Sequence, residues 1–583
     1  PLVGSVSLLY IYSKEKIHLI RIMPVLQKLG LHVIDQLTTR IGNDEKTLGF
    51  IQSFRVSRND GIKIDEVRYK PLLDAIVQHV FQHKTENDPL NGLALLANLG
   101  WREINVLQLY RNLSLQLSAP LTRETINAVL LRHPQCSRVL FETFACRFSL
   151  DPSFGNLVYR KEVLLPQKKQ EFFECLEKVQ QVTDDEVLRR LYELIENTLR
   201  TNFYLPKDAD ETSISIKLDS RKIEQMPVPV PFREIYVHDV GMEGTHLRFG
   251  PVARGGLRWS DRPDDFRTEI LGLVKTQQTK NVVIVPVGSK GGFVLKNTPA
   301  TREEAISESQ NQYRRFISAM LEITDNLDAQ GQVQTPSHVL SYDEPDPYLV
   351  VAADKGTATF SDIANEVSEK YDYWLGDAFA SGGSVGYNHK REGITARGAW
   401  ACVMLHFKEM GRNIQTEPTT VIGVGDMSGD VFGNGMLQSK MLLLQAAFNH
   451  QHIFFDPDPE PEISWNERKR VFDLPRSTWS DYSSDLISSG GGVFERYAKS
   501  IKLSSQVKTM LGTDADSLKG EEVVRLILQM DVDLLWFGGI GTYIKTPDQT
   551  HYQQPPGQAV VPDRPVSLEP QVKLAKSGVV CDS

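Results

Sequence analysis

The chain has 583 residues, of which 41% are hydrophobic and 24% charged, an ordinary composition for a protein of three or four domains. Its net charge of −9 gives no general attraction to nucleic acid or to an anionic membrane surface. No apolar run approaches the roughly 20 residues that cross a bilayer. We therefore expect neither a nucleic-acid partner nor a membrane partner.

Cysteine usage indicates the compartment. The five cysteines are scattered and form no CxxC pair, which favours a reducing cytoplasm over a disulfide framework or a zinc site. We predict no metal site. The chain begins with Pro1 rather than methionine, which we interpret as the sign of a fragment.

The first two regions are a small mixed unit and a helical segment. Residues 1–58 follow the order strand, helix, strand, strand, which predicts an α+β unit of a kind that often binds regulators or pairs with copies of itself. A scaffold unit without a ligand is the favoured interpretation. Residues 62–205 repeat apolar residues at intervals of three and four, which predicts helices.

Beyond about residue 210 the apolar period changes to two, and residues 206–380 predict a mixed α/β domain. Residues 381–545 predict a further domain, in which strands and helices alternate from residue 418 as in a parallel nucleotide-binding sheet. Residues 546–583 are rich in proline and polar residues without periodicity. They predict a disordered or non-native tail.

The segment "TTVIGVGDMSGDVFGNGM" carries a glycine-rich turn. A β-branched strand, Thr419–Val424, leads into the turn, and a helix is expected to follow through Leu444. A second strand, "HIFF", then ends at Asp456. This order is the context that a dinucleotide fingerprint requires. The candidate cofactor-binding residues in the turn are Gly423, Gly425, Asp426, Met427 and Ser428.

The acid that ends "HIFF" bears on the choice of cofactor. Asp456 could accept hydrogen bonds from the adenosine ribose, and its carboxylate would repel a 2′-phosphate, so NAD is favoured over NADP. The third glycine, Gly429, comes one place late, with Ser428 at the usual position. The alternative is a tight turn in any α/β protein.

A second motif, "VVIVPVGSKGGFVLK", combines an apolar run with a lysine beside two glycines. Lys280 is expected to open a strand and Lys290 to close it, while Arg254 precedes another glycine pair. Three cations held by strand ends and glycine turns suit a small dianionic substrate. Asp354 follows an apolar strand in "PYLVVAADKG" and could exchange protons with a substrate amine. The alternative is a set of surface charges at strand ends.

Together these motifs resemble the large NAD-specific glutamate dehydrogenases of bacteria, over about residues 1–545, and more distantly the smaller hexameric glutamate dehydrogenases. The resemblance implies that Arg254 in "ARGGLRW" binds the substrate side-chain carboxylate. Lys280 in "QTK" matches the lysine for the α-carboxylate, with Lys275 as the fallback. Lys290 in "VGSKGG" matches the catalytic lysine, and Asp354 in "VAADKG" matches the catalytic aspartate.

The segment "GGSVGYNHKREGITARG" looks like the hinge of the smaller enzymes. By that likeness Thr395 touches the nicotinamide end of the cofactor, and Ser384 is a lesser candidate for binding substrate. The implied multidomain α/β fold has four parts: an ACT-like unit, a helical region, a glutamate-dehydrogenase-type substrate domain and a Rossmann-like NAD domain.

The implied activity is oxidative deamination of L-glutamate to 2-oxoglutarate and ammonium with NAD, in a cytoplasmic homo-oligomer. Two alternatives stay open. One is a dehydrogenase for another amino acid, because the family's later specificity segment is missing from this chain. The other is a non-catalytic regulatory or assembly fragment, which the unrelated tail after "FGGIGTYIK" favours.

Overall fold

The structure is a computed structural model that describes residues 6–42, 47–117, 121–206, 211–280, 287–353, 360–380, 389–474, 477–538 and 574–576. For residues 276–280, 302, 353, 389, 390 and 574–576 it describes the backbone alone. The chain divides into two compact units, residues 1–383 and residues 384–583. Among the described helices, none combines the length and the apolar character needed to span a bilayer.

The first unit begins with the predicted α+β arrangement, which the structure confirms. Its elements are β1 (Ser7–Ser13), α1 (Leu19–Lys28), β2 (Leu31–Gly42) and β3 (Thr47–Arg58). The sheet is antiparallel in the order β1-β3-β2. Apolar residues alternate along β3, so Phe54 and Val56 face α1 and share a core with Ile22 and Leu26.

The helical region follows, as the three- and four-residue apolar spacing predicts. Its helices are α2 (Glu66–Phe81), α3 (Leu93–Leu96), α4 (Trp101–Gln116), α5 (Arg123–Arg132), α6 (Pro134–Phe148), α7 (Leu157–Tyr159), α8 (Leu165–Leu176) and α9 (Val182–Glu196). Nearly every side chain of α4 is buried, because the other helices surround it. The core of this region is continuous with that of the α+β arrangement.

The remainder of the first unit is built on a seven-stranded sheet in the order β12-β8-β9-β7-β6-β5-β4. The strands and helices are β4 (Thr198–Thr201), β5 (Ile214–Leu218), β6 (Arg233–His238), β7 (Met242–Arg248), β8 (Gly255–Trp259), α10 (Phe266–Lys280), β9 (Ser289–Leu295), α11 (Arg302–Leu321), β10 (Asn326–Leu327), β11 (Val333–Gln334), β12 (Val351–Ala353) and α12 (Ser361–Lys370). β12, β8 and β9 run parallel, and the others antiparallel. β7 is buried along its whole length.

The second unit is built on a six-stranded sheet in the order β16-β15-β14-β13-β19-β20. Its elements are α13 (His389–Glu392), α14 (Ile394–Glu409), β13 (Thr419–Val424), α15 (Asp430–Met436), β14 (Leu442–Phe448), β15 (His452–Phe455), α16 (Pro461–Asp473), β16 (Gly492–Glu495), β17 (Ile501–Lys502), α17 (Ser505–Leu511), β18 (Ser517–Leu518), α18 (Gly520–Ile527), β19 (Leu534–Phe537) and β20 (Leu574–Lys576). β14, β13, β19 and β20 are parallel, as a nucleotide-binding sheet requires.

Two details of the second unit differ from the prediction. The helix after the glycine turn ends at Met436 rather than continuing through Leu444, which lies in β14. The strand "HIFF" is β15, and it pairs antiparallel with β14. It is therefore the return arm of a hairpin, and β14 is the strand that completes the strand–helix–strand unit.

The finer subdivision of the chain remains a prediction, as does the nature of the tail. Of residues 546–583 the structure describes only the backbone of Leu574–Lys576, and the rest lies outside the described residues.

Candidate functional site

The parallel strands β12, β8 and β9 bring two candidate segments together. Ala352 lies opposite Gly256, and Arg254 forms a β-bridge with Gly288. This register sets Lys290 beside Gly256, so one row of the sheet runs from Ala352 through Gly256 to Lys290. Two strand spacings separate the ends of that row, which is about 10 Å. Arg254 is exposed and Lys290 half-buried.

Lys290 begins a strand rather than ending one. It is the second residue of β9 and lies opposite Leu247 of β7. The expectation that Lys290 closes a strand is therefore wrong. The apolar run expected to form that strand, residues 281–286, lies outside the described residues.

The two glycines after Lys290 serve packing within the sheet. A Cβ on Gly291 would lie 2.4 Å from Cδ2 of Leu257, and one on Gly292 would lie 2.5 Å from Cδ1 of Ile270 on α10. Both distances are far inside van der Waals contact. The glycines thus admit side chains of the protein itself. Leu257 and Ile270 fill the space beside these two glycines, so it is not open to a substrate.

The remaining substrate-site candidates lie mostly outside the described residues. Lys280 is the last residue of α10, so it ends a helix instead of opening a strand, and its side chain is not described. The fallback residue, Lys275, is exposed on α10. Asp354 follows β12 directly in the chain, but Asp354 and Ser384 themselves lie outside the described residues.

An ion pair that no sequence motif indicates lies beside this row. Arg258 of β8 donates from Nη1 to Oε1 of Glu269 on α10 at 2.5 Å, and Ser260 Oγ donates to Oε2 at 2.6 Å. Alternation along β8 puts Arg258 on the same face of the strand as Arg254. The arginine stands within the quoted "ARGGLRW", but its partner is 11 positions away.

A buried ion network supports the segment that leads into β12. Arg248, at the end of β7, binds the carboxylate of Asp346 and the carbonyl oxygen of Tyr348. Lys217 Nζ lies 2.7 Å from Asp346 Oδ2 and 2.6 Å from Asp343 Oδ2. Burial alone would raise the pKa of Asp346, but the two cations outweigh it and hold that pKa at about 2. These long-range contacts give no local sequence signal.

The glycine turn of the second unit is closed by one aromatic ring. A Cβ on Gly423 would lie 2.5 Å from the ring of Phe432, and one on Gly425, whose φ is 144°, would lie 2.7 Å from it. Trp479 packs edge-on against the same ring and donates from Nε1 to the Gly425 carbonyl oxygen at 2.9 Å. The two glycines let α15 approach the strand closely, which is one of the roles that a dinucleotide fingerprint assigns to its glycines.

Asp426 is the polar centre of the turn. Its Oδ1 accepts hydrogen bonds from the backbone N–H of Ser428 at 3.0 Å and from Ser428 Oγ at 2.5 Å. Its Oδ2 accepts from Nδ2 of Asn449, the residue after β14, at 3.0 Å. Asp426 and Ser428 are half-buried, whereas Asn449 is buried. The turn after β13 is thus tied to the end of β14.

Asp456 is not at this edge of the sheet. Because β15 is antiparallel to β14, Asp456 comes back beside Gln445, whose carbonyl oxygen accepts the Asp456 N–H at 2.8 Å. Its side chain is 1% exposed and accepts from the Ser488 N–H at 3.0 Å. Burial raises the pKa of Asp456. The expected position of this acid at the carboxyl end of a parallel strand is wrong.

Two further candidate cofactor-binding residues, Met427 and Thr395, lie within the described structure. Met427 is 1% exposed and belongs to the core of the second unit, so its side chain packs inward. Thr395 is half-buried in the first turn of α14, after Gly393, whose φ is 58°. A Cβ on Gly393 would lie 2.7 Å from Asn434 of α15. The start of α14 therefore packs closely against α15.

The sheet topology favours a ligand near the turn. From β13 the chain passes to β14 on one side, and the next parallel strand, β19, lies on the other side of β13. Such a reversal of strand order leaves a crevice at the carboxyl ends of the strands, where open α/β sheets bind ligands. The half-buried Asp426 and Ser428 lie there, so the described residues fit a dinucleotide at this edge.

A second polar cluster lies at the opposite end of β9 from Lys290. Glu86, His238 and Glu243 each offer one potential ligand atom within 4.8 Å of the others. The ammonium of Lys296 lies 3.0 Å from Glu243 Oε1 and 3.2 Å from His238 Nδ1, and it also contacts Glu86. The lysine thus supplies the positive charge that such a set of ligands requires. The absence of a metal site remains a prediction.

Comparison with protein families gives three matches. The family described as bacterial NAD-glutamate dehydrogenase, catalytic domain, matches residues 171–558. Glutamate dehydrogenase helical motif 3 matches residues 85–150, and the glutamate dehydrogenase ACT3 domain matches residues 5–68.

Two curated relatives are similar over most of the chain. The NAD-specific glutamate dehydrogenase of Pseudomonas aeruginosa is 47% identical over 536 residues, which are 91% of this chain and 33% of the relative. That of Mycobacterium tuberculosis is 44% identical over 569 residues, 94% of this chain and 35% of the relative. The chain spans about a third of the length of these relatives. A solved glutamate dehydrogenase, 13% identical, covers 82% of this chain and is itself covered to 83%, with a TM-score of 0.36, too low to add to the comparison.

Proposed function

This chain belongs to the bacterial NAD-glutamate dehydrogenase family, and we propose on that basis that the protein catalyses NAD-dependent oxidative deamination of L-glutamate to 2-oxoglutarate and ammonium. The observation that carries the proposal is the register of β12, β8 and β9. It brings Arg254, Lys290 and the end of β12, which Asp354 follows, into one part of the sheet.

The cations are proposed to hold the two carboxylates of the substrate. Arg254 takes the side-chain carboxylate, because an exposed guanidinium offers a planar pair of donors that matches its two oxygens. Lys280 takes the α-carboxylate as a point charge, and Ser384 adds a hydroxyl. An apolar or cationic side chain would leave Arg254 without a partner, which favours an acidic amino acid.

The proton transfers are proposed for Asp354 and Lys290. When bound, the nicotinamide accepts the hydride that leaves the α-carbon of glutamate. Asp354 first takes a proton from the substrate ammonium, so that the nitrogen lone pair can form the iminium bond as the hydride departs. Lys290, as the neutral amine, then takes a proton from the water that attacks the iminium carbon. Asp354 returns its proton to the nitrogen. The nitrogen then leaves as ammonia, and the Asp354 carboxylate takes the hydroxyl proton as the carbonyl forms.

The cofactor is proposed to lie at the carboxyl end of β13. The turn Gly425–Ser428 would hold the diphosphate, and Thr395 at the start of α14 would meet the nicotinamide end. Gly423 and Met427 act through packing beneath the turn, because both are buried.

The proposal extends to the setting of the enzyme. L-glutamate, 2-oxoglutarate and ammonium are its small-molecule partners. We place it in the cytoplasm, which the thiols of Cys136, Cys146, Cys175 and Cys402 support, since they are free in the described structure. A homo-oligomer is also part of the proposal.

A steady-state assay tests the proposal. NADH formation by the 583-residue chain would be followed by absorbance, with L-glutamate and with a panel of apolar, basic and other acidic amino acids. We expect L-glutamate to give the highest kcat/KM. Faster turnover of another amino acid would favour the alternative dehydrogenase. No turnover of any amino acid, together with no binding of NADH, would favour the non-catalytic fragment.

A further inference from the structure

We propose that Asp426, held in place by Asn449, is the residue that makes this protein discriminate between NAD and its 2′-phosphorylated form. The inference rests on the proposed use of NAD. It moves the discriminating carboxylate away from Asp456, where the order of the sequence motifs would put it.

A residue that reads the adenosine ribose must lie at the carboxyl end of the strands beside the glycine turn. Asp456 does not, because its N–H binds the carbonyl oxygen of Gln445, three residues before the end of β14. Three residues along a strand are about 10 Å. At 1% exposure, the Asp456 carboxylate is also closed to a ligand.

Asp426 meets both requirements. It follows Gly425, whose N–H binds the carbonyl oxygen of Phe448, the last residue of β14, at 2.8 Å. The side chain of Asn449, the next residue, donates to Asp426 Oδ2 at 3.0 Å. The carboxylate therefore stands at the ends of both β13 and β14. It is half-buried, so a ligand can reach it.

The hydrogen-bonding capacity of Asp426 is not exhausted. A carboxylate offers about four lone-pair sites. Among the described residues, hydrogen bonds to Asp426 come from the Ser428 N–H, the Ser428 hydroxyl and Asn449 Nδ2. A ribose hydroxyl could donate to a remaining site on Oδ2, whereas a 2′-phosphate would bring like charges together there.

The cation beside Asn449 does not offset that repulsion. Arg496 donates from Nη1 to the Asn449 carbonyl oxygen at 2.8 Å, and its Nη2 lies 3.0 Å from Glu521 Oε1. It is 2% exposed. Its charge is thus paired with Glu521, and the carboxylate of Asp426 is what the 2′-phosphate would meet.

The test is a pair of binding titrations on the 583-residue chain, with NADH and NADPH followed by their fluorescence. In Asp426→Asn the ratio of the NADPH Kd to the NADH Kd should fall by about tenfold or more, because the like-charge contact is gone. The new amide would face the amide of Asn449, so Asp426→Ser provides a second variant that removes the charge without that clash. In Asp456→Asn the ratio should stay within about twofold of the parent.

The outcomes separate this inference from the proposed function. If both Asp426 variants bind NADH and keep the parent ratio, or if Asp456→Asn alone relaxes it, the assignment to Asp426 is overturned. If the parent chain binds neither dinucleotide, the proposed use of NAD fails and takes this inference with it.

Discussion

At the scale of single residues, the backbone of Lys290 is fixed by the strand that carries it. It is half-buried, ladder hydrogen bonds hold its strand on both sides, and two glycines after it admit close packing from Leu257 and Ile270. Its backbone therefore has little freedom, which is what a residue that must meet a substrate atom within about 0.5 Å requires.

Replacing Lys290 by alanine should lower turnover about 10²–10⁴-fold, the usual contribution of a general acid–base group. NADH affinity should stay unchanged, because the proposed cofactor turn lies on other elements. Steady-state kinetics and a fluorescence titration measure the two effects. Lys222→Ala is the control, since that side chain is 69% exposed. Retention of more than about a hundredth of the activity would contradict the role.

Asp426 and Asp456 show which features of single residues the sequence predicts and which it does not. The residues of the glycine turn were found because they are consecutive. The relation of Asp426 to Asn449 spans 23 positions and depends on a hairpin that no local pattern reveals. Asp456 satisfied the motif in order and spacing, but strand direction placed it elsewhere.

At the scale of secondary-structure elements, glycine-to-alanine substitutions in β9 test how tightly the sheet is packed. Gly291→Ala should destabilise the protein by about 1–3 kcal/mol, because its Cβ would lie 2.9 Å from the backbone oxygen of Thr245, which cannot move aside. Gly292→Ala meets the end of a side chain, Cδ1 of Ile270, so adding Ile270→Val should recover part of its loss. Thermal unfolding measures both.

Gly398→Ala is the matched control for these glycine variants. It lies in α14 with nothing within 4 Å of its Cβ position, so alanine should stabilise the helix by about 1 kcal/mol. Equal melting temperatures for Gly291→Ala and the parent would contradict the packing argument.

The ion network beneath β12 predicts acid sensitivity. The folded pKa of Asp346, about 2, lies below its usual 3.8, so the stabilisation is complete above about pH 4 and is lost as pH falls through 2. Asp346 should contribute about 2 kcal/mol across that window. In Asp346→Asn the free energy of unfolding, from urea titrations, should depend less steeply on pH between 4 and 2. Asp473→Asn, with a 55% exposed carboxylate, should keep the parent slope.

β14 shows why one element was misread. Its segment "LLLQAAF" consists mostly of good helix formers, which suits the helix predicted to continue through Leu444. In the sheet, hydrogen bonds to β13 and β15 and burial of most of its side chains outweigh that propensity. β9 was missed for a related reason. Its paired glycines indicate a turn, yet they occur where neighbouring side chains approach the strand closely.

For the whole molecule, the sequence predicts the order of the secondary-structure regions but not the long-range contacts that connect them. Strand and helix periods predicted the opening α+β arrangement, the helical region and the parallel strands of the second unit. The same periods say nothing of the ion pairs that tie β4, β5 and β7 to the segment before β12, since those partners lie about 100 or more positions apart.

Because the proposed cofactor turn lies in the second unit, a fragment of the cofactor should protect backbone amides in that unit alone. ADP-ribose, which lacks nicotinamide, should slow amide hydrogen exchange at residues 423–430 and 446–449 and leave residues 287–296 unchanged. Hydrogen-exchange mass spectrometry with and without the ligand measures this. Protection confined to residues 1–383 would contradict the placement of the cofactor at β13.

The ring of Phe432 has a consequence for how this family can vary. A Cβ at Gly423, Gly425 or Gly538 would lie within 2.7 Å of that one side chain. An alanine at any of the three is tolerable only if the ring becomes smaller, and a smaller ring leaves a void over all three. Substitutions at Gly423, Gly425, Gly538 and Phe432 must therefore occur together. Related sequences should either keep all four residues or replace a glycine and the aromatic residue at the same time.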